Sequence, residues 1–166
     1  MFRKILGTSA IISALAILPA SVQAATASAT ASATVLTPIA IATNTQMSFG
    51  DLYADNVAIG TVVLAVDGSR TVTGPVAKGA TAGAAAAFTV TGTNSATYAL
   101  TLPSTDVTIT SAGSDTMIVN TFTHNSTTTL SAGGTESFNV GATLNVGISQ
   151  VATSYSGSFN VTVNYN

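Results

Sequence analysis

Side chains able to do chemistry are scarce in this chain, and none falls into a catalytic spacing. There is one histidine, His124, and the six carboxylates are Asp51, Asp55, Asp67, Asp106, Asp115 and Glu136. Triads are spatial, but serine hydrolases of the nucleophile-elbow type carry Gly-x-Ser-x-Gly on a strand-to-helix turn. No such elbow occurs, and His124 sits in Thr-His-Asn at the end of a β-like run, where a loop or strand-end role is expected. Zinc needs several His or Cys ligands, and cysteine is absent. Asp51, Asp55 and Asn56 are the nearest candidates for a calcium site, yet they lack the alternating acidic spacing of a calcium loop. No carboxylate pair stands out for glycoside hydrolysis. Gly79 to Gly83 lacks the Lys-Ser/Thr that a phosphate loop requires. No catalytic residue, metal or cofactor is therefore expected, and the chain does not read as an enzyme.

The chemistry that remains is backbone hydrogen bonding along strand edges. In the terminal run, Phe159, Val161, Val163 and Tyr165 alternate with Ser158, Asn160, Thr162 and Asn164. Successive strand side chains point to opposite faces, so this run has one apolar and one polar face. Residues 25–34 alternate too, with Ala25, Ala27, Ala29, Ala31 and Ala33 separated by Thr or Ser, and Val35 continues the parity. Two readings stay open for this segment: a low-complexity linker or stalk, or an extended strand with a small-residue face able to slot into another subunit.

Composition bounds what holds these segments. Phe2-Arg3-Lys4, the apolar stretch Ile5 to Leu18, Pro19 and Val22-Gln-Ala24 read as a secretory signal, with cleavage expected after Ala24. The expected organisation is a signal peptide over 1–24, an extension over 25–34 and one β domain over 35–166. The protein is expected to be exported, with no transmembrane anchor after cleavage. Only 6% of residues are charged, against about 25% in ordinary domains. Loss of Arg3 and Lys4 takes the net charge from −2 to −4. Nucleic-acid binding needs clustered Lys and Arg, so it is not expected. Soluble β proteins usually guard exposed edges with Lys or Pro; their scarcity here suggests that edge pairing is either concealed or wanted.

Short β-like runs fill the rest. Val35 to Ala42, Met47 to Gly50, Gly60 to Val66 and Arg70 to Thr73 come first, with Asp67-Gly68 as a hairpin signal. Ala84 to Thr91, Thr97 to Leu102, Val107 to Thr110, Thr116 to Thr123 and Thr128 to Leu130 follow. Glu136 to Val140, Thr143 to Ser149 and Tyr155 to Tyr165 close the series. With no convincing amphipathic helix, this predicts an all-β fold, a β-sandwich. The expected core is Phe49, Leu64, Phe88, Val90, Tyr98, Leu100, Leu102, Ile109, Ile118, Phe122, Phe138, Leu144, Val146, Phe159, Val161 and Val163.

Met47-Ser-Phe-Gly50, Gly60-Thr-Val-Val-Leu64, Ala87-Phe-Thr-Val-Thr-Gly92, Tyr98-Ala-Leu-Thr-Leu-Pro103, Phe138 to Leu144 and Tyr155 to Tyr165 together resemble an uncharacterised family of secreted Gram-negative domains with pilin-like features. The chain also resembles chaperone–usher pilus subunits, immunoglobulin-like β-sandwiches that lack their final strand. That resemblance implies an incomplete sandwich completed by a donor strand, self-association into fibres at the cell surface, and a periplasmic chaperone and outer-membrane usher as partners. Carried over, the donor is Ala25, Ala27, Ala29, Ala31, Ala33 and Val35, with Val35 to Ile41 as the alternative, and the acceptor groove is Phe159, Val161, Val163 and Tyr165. Such pilins usually carry a glycine where this chain has Thr153, and many carry a disulfide that it lacks. A monomeric secreted module binding carbohydrate or another surface ligand is the second expectation.

Overall fold

A computed structural model describes residues 23–166. The signal sequence read over 1–24 therefore lies, for residues 1–22, outside the described residues. Gln23 to Thr34 form neither helix nor strand and are exposed. Val35–Asn166 form a separate compact unit that is all-β, with no helix among the described residues. Its strands are β1 (Ala40–Thr45), β2 (Leu52–Tyr53), β3 (Gly60–Leu64), β4 (Arg70–Thr73), β5 (Ala77–Lys78) and β6 (Ala86–Thr91). Then come β7 (Tyr98–Thr101), β8 (Val107–Ser111), β9 (Thr116–His124), β10 (Thr135–Val146), β11 (Tyr155–Ser156) and β12 (Thr162–Tyr165).

β10 organises the unit. Its first half pairs with β6, from Thr135↔Thr91 to Val140↔Ala86, and its second half with β3, from Ala142↔Leu64 to Val146↔Gly60. β9 lines its opposite edge, and β1, β4, β8 and β11 extend this curled antiparallel sheet. β7 and β12 form a second, smaller layer. Tyr98 and Val163 from that layer pack against Phe88, Val90, Phe138 and Val140 of the main sheet, giving a sandwich-like core. Opposed Phe88 and Phe138 stack at 5.6 Å between ring centroids. A second core cluster holds Val62, Val76, Val119, Ala142, Leu144 and Val146 under the other half of β10.

The expected hairpin is present: β3 and β4 pair across Asp67-Gly68, with Gly68 at φ 84° and the Asp67 carboxylate accepting the Ser69 N–H at 2.8 Å. Where expectation and fold part, the backbone supplies the reason. Glu136–Val140 and Thr143–Ser149 are one strand that runs straight through Gly141 and ends at Val146. The first strand begins at Ala40 rather than Val35, since Pro38 has no N–H for the ladder. The terminal run is two strands in different layers: β11 pairs with β8, the chain turns a corner at Gly157, and only Thr162–Tyr165 pair with β7. A Cβ on Gly157 would stand 2.9 Å from the Thr108 carbonyl oxygen, which is why the corner has none.

The core adds Val62, Val76, Leu130 and Val140, which are buried but not among the expected residues, and it corrects one parity error. Thr121 takes φ 51° where the β9–β10 register shifts, a bulge that puts Val119 and Phe122 on the same face. Val119, not Ile118, is the buried residue. Leu64, Phe88, Val90, Tyr98, Phe138, Leu144, Val146 and Val163 are buried as expected. Phe49, Leu100, Leu102, Ile109, Ile118, Phe122, Phe159 and Val161 are half-buried.

Candidate functional site

Among the strand edges without a partner in this fold, those of β1 and β12 lie close to each other. On β7, the Tyr98 N–H donates to the Thr128 carbonyl at 3.0 Å, away from β12. Antiparallel partners exchange bonds at alternate positions, so Ala99 and Thr101 bond Asn164 and Thr162. The N–H and C=O of Val163 and Tyr165 consequently face the other way, where no strand pairs among the described residues. The same parity applies on the main sheet. The Gly92 N–H donates to the Gly134 carbonyl, so Phe88 and Val90 turn to β10 while Thr89 and Thr91 bond Ala42 and Ala40. Ile41 and Thr43 of β1 are left with their backbone groups outward. β1 and β12 run close together without pairing.

Between these edges the core is incompletely covered. Ile39 and Ile41 from the β1 side, and Phe159, Val161 and Tyr165 from the β12 side, pack against the first core cluster yet are only half-buried. Val163 beneath them is 8% exposed. The Phe159 ring leans on Phe122, centroids 5.0 Å apart. At the end where β10 begins, Tyr165 closes the gap. Its hydroxyl accepts the Thr93 N–H and donates to the Thr37 carbonyl, both at 2.7 Å, while the Thr37 N–H donates to Thr93 Oγ1 at 3.0 Å. Gly92 makes room for that ring, since a Cβ there would collide with the Tyr165 hydroxyl. The arrangement offers two rows of free donors and acceptors above an apolar floor, the chemistry by which a sheet edge accepts an added strand.

Of the expected acceptor residues, Phe159, Val161 and Tyr165 are half-buried against the first core cluster and Val163 is buried in it. The gap's second wall, Ile39 and Ile41 on β1, was not read as a wall in the sequence. That wall also corrects the alternative donor: Ile39 and Ile41 pack into their own core and β1 is paired to β6, so the segment to Ile41 is not free to donate. Ala25, Ala27, Ala29, Ala31 and Ala33 are exposed and lie in no strand, and Val35 is 95% exposed.

A polar pin fastens the floor. Tyr98 is buried, and its hydroxyl donates to Glu136 Oε2 at 2.6 Å. The Thr127 N–H and Oγ1 and Ser126 Oγ donate to Oε1. Burial disfavours the Glu136 charge, but donation from Tyr98, Thr127 and Ser126 outweighs it and holds the carboxyl below its ordinary value. Burial, and then the bond to Glu136, push the Tyr98 hydroxyl up to about 12. The signs follow by linkage. The Glu136 contribution is present above its unfolded pKa and lost as pH falls through the lower folded value. The Tyr98 contribution is intact below its ordinary pKa of 10.0 and lost as pH rises towards about 12. Glu136→Gln is expected to cost about 1–3 kcal/mol at pH 7 and to flatten the acid limb of the urea-unfolding midpoint against pH. A steep acid limb surviving in that variant would show that the pin is not its source.

The remaining titratable groups serve turns. Asp55 Oδ1 accepts the Val57 N–H at 2.6 Å and the Ala58 N–H at 3.3 Å. Asp51 Oδ2 accepts from Thr81, and the His124 ring accepts the Ser126 N–H at 3.2 Å. Arg70 donates to the carbonyls of Phe49, Asp51 and Gly79, clamping the loop beside β2 and β5. No group of three His, Cys, Asp or Glu side chains gathers among the described residues. No helix there is long and apolar enough to cross a membrane, which says nothing of β-barrels.

No curated protein and no solved structure matches this chain. A family model does match, over residues 39–165, a span that takes in both walls of the gap, from Ile39 to Tyr165, and leaves out the alanine-rich extension. The chain thus belongs to the family described as a domain of unknown function, DUF4402.

Proposed function

We propose that this chain is an exported structural protein, a pilus or surface-fibre subunit that polymerises by strand exchange, with residues 25–34 of one copy filling the gap between β1 and β12 of the next. The observation that carries this reading is the pair of unpaired edges above half-buried Ile39, Ile41, Phe159, Val161 and Tyr165. An added strand would satisfy both edges at about 1 kcal/mol net per backbone bond and cover that floor. The alternating segment sits immediately N-terminal to the domain and carries no strand of its own. A periplasmic chaperone would occupy the same edges before assembly, and an outer-membrane usher would order the exchange. Attachment and biofilm cohesion are the roles that follow. Deleting residues 25–34 is expected to leave export and folding intact and to abolish filaments in negative-stain micrographs. Filaments of unchanged yield from the deleted chain would sink the donor assignment.

One observation favours a second reading, a monomeric carbohydrate-binding module. Open clefts of about 400 and 390 Å³ flank Pro103 to Asp106, lined by Ser, Thr and Asn side chains with Phe122 in one and Phe159 in the other. Hydroxyl and amide groups beside a half-buried aromatic ring suit a sugar. A glycan-array signal from chromatographically monomeric protein would favour it, and silence from monomer would remove it.

A further inference from the structure

We propose that the loops at residues 53–59 and 147–151 form a head-to-tail junction with a second copy of this chain, receiving the end that carries Val35 and Leu36. The direction of the contact rests on the strand-exchange reading. Exposed large apolar side chains gather at opposite ends of β10. Val35 and Leu36, 95% and 54% exposed, precede β1 beside Thr37 and Tyr165, at the end where β10 begins. Tyr53 at the end of β2, Val57 and Ile59 just before β3, and Ile148 and Val151 just after β10 are each at least half exposed, at the end where Gly60 pairs with Val146. The Ser149 N–H donates to the Asp55 carbonyl at 2.8 Å, tying the two loops together. Exposed apolar side chains clustered in this way mark a contact surface, and within residues 53–59 and 147–151 Asp55 is the only charged side chain.

Topology decides what covers them. β12 runs towards the start of β10, ending with Tyr165 opposite Tyr98, which in turn bonds Glu136. A donor pairing antiparallel to β12 runs the other way. Its C-terminal end, which continues into Val35 of its own copy, therefore leaves the gap towards the loops at 53–59 and 147–151. Parallel pairing would bring it out where the Tyr165 ring, held by Thr93 and Thr37, closes the gap. So the apolar Val35–Leu36 end of the donating copy meets the apolar loops of the receiving copy. The two surfaces are different, and a contact of that kind repeats without closing, which is what a filament requires.

The chain has no cysteine, so engineered thiols report contact against no background. A chain starting at Ala25 and carrying Leu36→Cys and Ile148→Cys, treated with a short bis-maleimide, is expected to give a ladder of covalent multimers on a denaturing gel. Either single variant alone should stay monomeric on that gel, since the junction brings no two like thiols together. Filaments that form without a ladder would overturn the junction and leave strand exchange standing. A ladder that persists after deletion of residues 25–34 would support the junction and count against strand exchange. Neither filament nor ladder would overturn both.

Discussion

A Gly141→Val chain is expected to be recovered unfolded or aggregated, whereas Gly133→Ala should unfold within about 0.5 kcal/mol of the parent. Gly141 stands where β6 hands over to β3 along one edge of β10, while β9 shifts register on the other. A Cβ there would overlap the Leu64 carbonyl oxygen and lie 3.0 Å from the Ala65 carbonyl carbon and 3.2 Å from Thr123 Oγ1. Ordinary overpacking costs about 1–3 kcal/mol because side chains can move aside. Here the obstacle is backbone on one flank, and yielding would break the joint between the two core clusters. Against a total stability of about 5–15 kcal/mol, little margin would remain. Gly133 has only Ser131 Oγ nearby, at 3.6 Å, and is exposed. Circular dichroism and urea titration of both variants decide the matter; a cooperative native transition in Gly141→Val would show that the joint can open without cost.

Replacing Ala27, Ala29 and Ala31 together by valine is expected to tighten strand exchange by about 5 kcal/mol, from two added methyl equivalents per residue at about 0.8 kcal/mol each. An all-alanine face contributes little burial, so the native donor holds chiefly by backbone bonds. Five alanines forgo on the order of 8 kcal/mol relative to valine. Valine also favours strands in general, and the control is the other face: Ser28, Thr30 and Ser32 changed to valine should leave the exchange within about a factor of ten. The urea concentration that depolymerises filaments reads the difference. Equal gains from both faces would show that parity does not matter and that the alanine face does not enter the gap. A loss from the alanine set alone would show a groove too shallow for valine.

Strand identity was legible wherever alternation ran uninterrupted and a turn residue closed it, as in Ala86–Thr91 and in the Asp67-Gly68 hairpin. It failed where one residue changed the parity or role of a run. Glycine usually weakens a strand interior, yet Gly141 continues β10 because two neighbouring strands crowd it. Thr121 looks like any other strand threonine until its positive φ moves Val119 into the core. Gly157 divides what reads as a single terminal strand between two layers. For the candidate site, the alternation of Phe159, Val161, Val163 and Tyr165 marked an apolar face, and the fold packs that face against the first core cluster. The opposing wall could not be read, because whether an edge is open depends on which strands lie beside it. Ile39 and Ile41 have the same local pattern in an edge strand as in a central one. The Tyr98–Glu136 pin was equally silent, joining residues 38 positions apart.

Amide hydrogen exchange on filaments, compared with the chain lacking residues 25–34, tests strand addition most directly. If the donor lies between β1 and β12, the Val163, Tyr165, Ile41 and Thr43 amides, outward and without a strand partner in the isolated unit, become at least a hundredfold slower in filaments, while the Ala99 and Thr101 amides change little. Equal exchange at those four positions in filament and truncated chain would contradict it, and the two edges would then be open for some purpose other than joining copies of this chain.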